Sequence, residues 1–190
     1  MIVVMGGTYD PVHVGHLRVA LELSEHLNKG YLQHIGDVRS GHAIDSRAKV
    51  HLMPCYNPVH RELPGASSSQ RVDRLMLSTQ GEPDLVVDER EIQRGGPSYT
   101  VDTLRALRQQ YGQDEPIVLV LGTDAFNGLA RWHEWLEIPT LAHIIVLNRP
   151  GWVLAPCKEL QPLLESNSVE RIESLFECAA GYILPLELSL

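Results

Sequence analysis

Residues 2–16 read Ile-Val-Val-Met-Gly-Gly-Thr-Tyr-Asp-Pro-Val-His-Val-Gly-His, or IVVMGGTYDPVHVGH. The apolar run Ile2–Met5 has no polar alternation, as expected of a strand covered on both faces. Gly6 and Gly7 follow at once, and glycine lets backbone come close to a ligand or turn sharply. Asp10-Pro11 suits a helix entry, with a capping side chain followed by proline. His13 and His16 lie three residues apart, so on a helix they share one face. The stretch therefore predicts a first strand, a glycine turn and the start of a first helix.

The same grammar continues along the chain. Candidate strands are Ile2–Met5, Lys49–Met53, Leu85–Asp88, Ile117–Leu121 and Ile144–Leu147, with a weaker one at Tyr182–Leu186. Between them Leu17, Ala20, Leu21, Ser24 and Leu27 recur at three-and-four spacing, and further helices are predicted at Ser69–Thr79, Thr100–Tyr111 and Asp124–Ile138. Alternation of strand and helix predicts an α/β fold: a Rossmann-like doubly wound parallel sheet with flanking helices. Asn28–Arg47 is polar and glycine-containing, longer than the usual connection of about 2 to 6 residues, and reads as a mobile excursion with His34 and His42 exposed. Pro156–Gly181 reads as helix. No internal repeat is visible.

Composition limits the function. With 190 residues, 44% of them hydrophobic, the chain has material for one sizeable core, so one domain is the expectation. A formal net charge of −8 argues against general binding to nucleic acid, where lysine and arginine supply the affinity. No basic-then-apolar leader opens the chain, and no apolar run approaches the roughly 18 to 20 residues that span a bilayer. Cys55, Cys157 and Cys178 form neither a disulfide framework nor a zinc pattern, so a reducing, cytoplasmic setting is expected. Nothing in composition decides between a monomer and a homo-oligomer.

In a parallel sheet, ligands gather at the carboxyl ends of strands, where helix N-termini offer unpaired N–H groups and the positive end of the dipole. The glycine turn thus reads as an anion pocket, with His13 and His16 aimed at the anion. Half of a metal site is the alternative for His-x-x-His, but two ligands without a third leave it incomplete.

GGTYDPVHVGH closely resembles the signature of the nucleotidyltransferase superfamily. Four later blocks are Pro54–Arg61 (PCYNPVHR), Gly96–Leu104 (GPSYTVDTL), Gly122-Thr123-Asp124 and Trp132–Trp135 (WHEW). With Asn148–Gly151 (NRPG), they resemble the ordered motifs of bacterial nicotinate-nucleotide adenylyltransferases. The resemblance runs from about residue 2 to residue 151. It implies transfer of an adenylyl group from ATP, accompanied by Mg²⁺, to nicotinate mononucleotide. The products are nicotinic acid adenine dinucleotide and pyrophosphate. It further implies that His13 and His16 are catalytic, and that ATP meets Gly6, Gly7, Thr8, His13, His16, Gly122, Asp124 and Arg149.

The mononucleotide side would comprise His60, Arg61, Ser98, Tyr99, Thr100 and Trp132, with no protein metal site. Bland alternatives stand beside several of these: a core tryptophan for Trp132, helix caps for Ser98, Thr100 and Asp124, and solvated surface for Arg61. The sequence departs from the family pattern at Cys55 and at Val59, where a second proline is expected. The family's C-terminal phosphate clamp, a Ser/Thr-rich step with an arginine at a helix start, has no counterpart in residues 1–190, read as a single nucleotidyltransferase domain. Two other readings remain: another adenylyl- or cytidylyltransferase, such as one acting on pantetheine phosphate, and a nucleotide-binding module with little turnover.

Overall fold

A computed structural model describes residues 1–37, 48–59, 63–148 and 153–188. Strand β1 (Ile2–Gly7) leads through helix α1 (Val14–Asp37) to β2 (Lys49–Pro54), and α2 (Ser68–Ser78) leads on to β3 (Leu85–Val87). After α3 (Arg90–Arg94) and α4 (Thr100–Tyr111) the chain crosses to β4 (Ile117–Gly122) on the other side of β1. The short helices α5 (Thr123–Asn127) and α6 (Ile138–Leu141) precede β5 (His143–Leu147), and α7 (Gln161–Asn167) precedes β6 (Ile183–Leu186). The six strands form one parallel sheet in the order β3-β2-β1-β4-β5-β6. The order reverses between β1 and β4, so the loops that leave these two strands part to opposite faces and open a crevice.

Each face of the sheet has its own apolar layer. Ile2 and Val4 of β1 with Leu119 and Leu121 of β4 pack against Val101, Leu104 and Leu107 of α4. Val3, Leu52, Val118 and Val120 point the other way, against Ala20, Leu23 and Leu27 of α1 and Leu75 of α2. This is why several of the strands read as unbroken apolar runs. Each fully buried leucine contributes about 1.5–3 kcal/mol from the water it leaves.

The amino ends of the strands are tied by Arg108, which is 4% exposed. Its guanidinium donates to the carbonyls of Leu141 at 2.9 Å, Glu115 at 2.6 Å and Ala179 at 2.8 Å, with longer bonds to Gly112 and Gln113. Beside it the fully buried His143 accepts from the Tyr182 amide through Nδ1, which leaves Nε2–H to donate to the Cys178 carbonyl. Burial holds the His143 pKa below its ordinary value.

Four expectations from sequence are corrected. Helix α1 does not stop near Leu27 but runs to Asp37, so the first half of the expected excursion is helical; residues 38–47, His42 included, lie outside the described residues. Its extension docks on the turn Ile172–Phe176: Gly30 lies so close that a Cβ there would meet Ile172 Cγ2 at 2.5 Å, and Tyr31 and His34 place their rings against Phe176. His34 is accordingly half-buried rather than exposed. The expected helix Asp124–Ile138 is broken into α5, two 3₁₀ turns at Leu129–Arg131 and Trp135–Glu137, and a left-handed Glu134 at φ 48°. In the tail only Gln161–Asn167 is α-helix, Ile172–Phe176 being 3₁₀.

The fourth correction concerns the first turn. Helix α1 begins at Val14, too late for Asp10 to cap it. The Asp10 carboxylate instead accepts from the amides of Gly65 at 2.6 Å and Ala66 at 3.0 Å, stitching the loop before α2 to the glycine turn. The Ala66 amide, with the Gly65 amide and the charge of Arg74, holds the Asp10 carboxyl below its ordinary range. His13 likewise precedes the helix rather than sharing its face with His16.

Candidate active site

A cavity of about 680 Å³ opens at the carboxyl ends of β1 and β4, where the strand order reverses. The glycine turn forms one wall. Gly6 is exposed and a Cβ there would meet nothing within 4 Å, so its backbone is open to a ligand. Gly7 is constrained differently, since a Cβ would press on the Tyr9 ring at 3.2 Å. Tyr9 is 1% exposed, takes a left-handed φ of 50° and donates its hydroxyl to the Met5 carbonyl at 2.5 Å. A tyrosine in that backbone region is held there by its surroundings. Here the buried ring supplies the hold.

Tyr9 in turn supports the histidines. Its ring meets His16 edge-on at 5.0 Å, and His16 stacks on His13 with ring centroids 3.8 Å apart. His13 is exposed and His16 half-buried, and both line the cavity. The His13 amide donates to His16 Nδ1 across 3.4 Å, so the neutral His16 ring carries its proton on Nε2. Under the turn lies Arg71, 1% exposed, whose Nη1 donates to the Thr8 carbonyl at 2.7 Å and whose Nη2 donates to Ser68 Oγ at 3.2 Å. A buried guanidinium thus holds the loop from below.

The opposite wall comes from β4 and α4. Gly122, Asp124 and Trp132 line the cavity, as do Ser98, Tyr99 and Thr100 at the start of α4. The alternative reading of Ser98, Thr100 and Asp124 as helix caps is not borne out: Gly122 precedes α5 and Tyr99 precedes α4, neither with a side-chain cap bond. Thr123 binds the Leu147 carbonyl at 3.0 Å and so fixes the turn after β4 to the end of β5. Trp132 takes an extended conformation between the two 3₁₀ turns, which lets it pack on the core with one side while lining the cavity. Arg105 of α4 pairs with Glu134, Glu137 and Asp102, holding this segment against α4.

Of the residues named from sequence, the structure brings Gly6, Gly7, Thr8, His13, His16, Ser98, Tyr99, Thr100, Gly122, Asp124 and Trp132 to this one cavity. His60, Arg61 and Arg149 lie outside the described residues. Sequence reasoning missed Cys55, Glu91, His133 and Asn148, which also line it. His133 stacks on Tyr99 at 4.3 Å, and its place beside Trp132 in WHEW was the available signal. Burial pushes the Cys55 thiol pKa up, so it is a packing group rather than a thiolate.

Among the described residues, no three His, Cys, Asp or Glu side chains gather to hold a metal, and no helix is long and apolar enough to cross a membrane.

A glycine turn with paired histidines at the switch point of a parallel sheet is nucleotidyltransferase architecture, and the cytidylyltransferase-like family profile matches residues 4–174. The chain belongs to that family and, within it, to the nicotinate-nucleotide adenylyltransferases. It is 45% identical over 182 residues to the probable nicotinate-nucleotide adenylyltransferase of Hahella chejuensis, covering 96% of this chain and 75% of that one. Identity is also 45% over 186 residues to the corresponding protein of Marinobacter nauticus, with 98% and 78% covered. The fold matches that of Plasmodium falciparum nicotinic acid mononucleotide adenylyltransferase complexed with NaAD, with a TM-score of 0.62, 12% identity, and 100% of this chain and 75% of that one covered.

Proposed function

We propose that this protein transfers the adenylyl group of ATP to nicotinate mononucleotide, releasing pyrophosphate and forming nicotinic acid adenine dinucleotide. The observation that carries this reading is a single cavity lined by two unlike sets of side chains: stacked imidazoles beside an open glycine turn, and the rings of Tyr99, Trp132 and His133. The first set suits a polyphosphate and the second a flat pyridine ring.

The mononucleotide phosphate oxygen attacks the α-phosphorus of ATP. A new P–O bond forms as the bond from the α-phosphorus to the bridging oxygen breaks, and pyrophosphate leaves with that electron pair. No side chain serves as nucleophile, so the protein's part is alignment and charge stabilisation, and near-attack positioning alone can supply about 7–11 kcal/mol. His16 donates through Nε2 and His13 beside it to the phosphates, meeting negative charge as it grows. Charge-assisted bonds of this kind contribute about 1.5–3 kcal/mol each.

Gly6, Gly7 and Thr8 bring backbone to the nucleotide. Asp124, after Gly122, faces the ribose or adenine side, and Arg149 belongs with it by family resemblance. Ser98, Tyr99 and Thr100 present the start of α4 to the pyridine carboxylate, and Trp132 gives the ring a surface. By the same resemblance His60 and Arg61 meet the mononucleotide phosphate.

Adenylyl transfer from ATP implies a divalent cation, and Mg²⁺ is the natural choice. It commonly rides on substrate phosphates with its own waters rather than in an all-protein cage. Bound with ATP it neutralises triphosphate charge. The substrates point to a cytoplasmic enzyme.

The test is pyrophosphate release with ATP, Mg²⁺ and one acceptor at a time. Release with nicotinate mononucleotide but not with pantetheine phosphate supports the reading. Release with pantetheine phosphate alone overturns it, as does ATP binding with no release from any acceptor.

A further inference from the structure

The loop that leaves β2 is held at two points, on two different elements. At its start the Cys55 amide donates to the Gly7 carbonyl of the glycine turn at 2.9 Å. Two residues on, the chain lies beside the approach to α4. Asn57 and Pro97 form an isolated parallel bridge, and the Ser98 amide donates to the Asn57 carbonyl at 3.1 Å. The Tyr56 amide donates in turn to Ser98 Oγ at 3.0 Å. An amide N–H only donates, so the direction of this bond is fixed and the serine oxygen is its acceptor. Cys55, Pro58 and Val59 of the same loop line the cavity.

The residues before α4 suit this meeting. Gly95 and Gly96 both take left-handed backbone, at φ 67° and 71°, where the chain turns out of α3 and comes alongside Asn57. Pro97 has no N–H to donate, so the next residue, Ser98, supplies the backbone bond and, through its hydroxyl, an acceptor as well.

We propose that Ser98 is a positioning residue: by accepting the Tyr56 amide, its hydroxyl moors the loop after β2 to the start of α4, and so fixes the cavity wall of Cys55, Pro58 and Val59 against which a mononucleotide substrate lies.

Family resemblance makes Ser98 a ligand contact, whereas the geometry commits its amide and its hydroxyl oxygen to the loop. That loop has little else to order it. Tyr56 and Val59 are exposed, and Pro58 offers no N–H, so hydrogen bonds carry much of its order. A ligand that fits only the moored loop binds in proportion to the moored fraction. The glycine turn keeps supports of its own, Tyr9 and Arg71, so loss of the mooring falls on one wall of the cavity.

The choice of substrate rests on the function proposed above, and the experiment separates the two. Ser98→Ala removes the acceptor and leaves the backbone bond, while Ser98→Thr keeps a hydroxyl at the same place. Hydrogen exchange is followed at the Tyr56 and Ser98 amides of the full chain, alongside KM for each substrate and kcat.

For Ser98→Ala the expected result is exchange at these amides at least about threefold faster, and KM for nicotinate mononucleotide raised at least about threefold, up to the roughly tenfold that one neutral hydrogen bond is worth. KM for ATP, kcat and exchange elsewhere should change less than about threefold, and Ser98→Thr should stay within about threefold of the unaltered protein in every readout. Smaller changes in both exchange and KM overturn the proposal. A raised KM with unchanged exchange also overturns it, because the hydroxyl would then touch the substrate directly, and so does faster exchange without a change in KM. Faster exchange throughout the chain, an equal rise in KM for ATP, or a Ser98→Thr variant that behaves like Ser98→Ala overturns it too. Should Ser98→Ala fail to fold, Ser98→Cys keeps the size and weakens the acceptor, with the same pattern expected at smaller amplitude; no change in either readout refutes the mooring. If the unaltered protein makes no pyrophosphate with nicotinate mononucleotide, the function falls, and exchange alone decides the role of Ser98: faster local exchange keeps the mooring, and none removes it.

Discussion

Replacing Gly15 by alanine sets two effects of opposite sign against each other. Gly15 is the second residue of α1, and alanine there improves helix propensity by up to about 1 kcal/mol. Its new Cβ, however, would stand 3.1 Å from both Cε1 and Nδ1 of His13. Relief to an ordinary contact requires the imidazole to retreat by about 0.3 Å, away from a stack whose centroids are 3.8 Å apart. A misplacement of about 1 Å in a catalytic group can cost about 100-fold. Scaled logarithmically, a shift of about 0.3 Å predicts kcat reduced roughly fourfold. Steady-state pyrophosphate release should therefore fall three- to tenfold while the urea midpoint stays level or rises. Unchanged kcat would mean that His13 takes no part in the reaction. A fall in both kcat and stability would mean that the turn tolerates no Cβ, and would also refute the reasoning.

Further perturbations reach other parts of the molecule. His16→Ala should lower kcat by about 10- to 100-fold, the loss of one charge-assisted bond, while KM for the mononucleotide changes little; circular dichroism checks that the variant is folded, and normal turnover would remove the residue from the mechanism. Arg71→Met leaves the Thr8 carbonyl without its buried donor and should lower the free energy of unfolding by about 2–4 kcal/mol, measured with urea; a change below about 0.5 kcal/mol would show that Arg71 does not hold the turn. For Asp88, burial works to raise the carboxyl pKa, but hydrogen bonds from His51 and Arg90 outweigh it and hold the group well below its ordinary range. The native pKa is thus depressed, and its stabilising contribution is present above the unfolded value of about 3.9 and lost as pH falls toward the native one. Asp88→Asn should destabilise at pH 7, with the gap narrowing below about pH 4; a gap constant with pH would rule out the carboxylate charge as its origin.

How much of this was legible in the sequence depended on the range of the interactions. The inner strands announced themselves, because burial on both faces leaves an apolar run that needs no distant partner to be recognised, whereas β6, half-exposed at the edge of the sheet, left a weaker one. The glycine turn was legible for the same reason: Gly6, Gly7, His13 and His16 carry their chemistry within a few residues of one another. Helix α1 was cut short because Asn28–Asp37 has little apolar periodicity of its own; it is helical where Gly30 permits contact with Ile172, more than a hundred residues away. The segment Asp124–Ile138 shows helical spacing, yet the pairing of Arg105 with Glu134 and Glu137 accompanies a broken path that puts Trp132 on the cavity. Glu91 gave no local sign at all. Its buried carboxylate is met by the Thr103 hydroxyl, which lies within reach only once α3 and α4 are folded together.

The Arg108 anchor has a consequence for how such a molecule can vary. One guanidinium fastens the entrances of β4, β5 and β6, while the described groups suggested to handle nucleotide line the cavity at the far ends of the strands. Foundations and workshop are separate storeys. Loops on the upper one can be lengthened, shortened or rewritten for a new acceptor without disturbing the footing on which the strands rest.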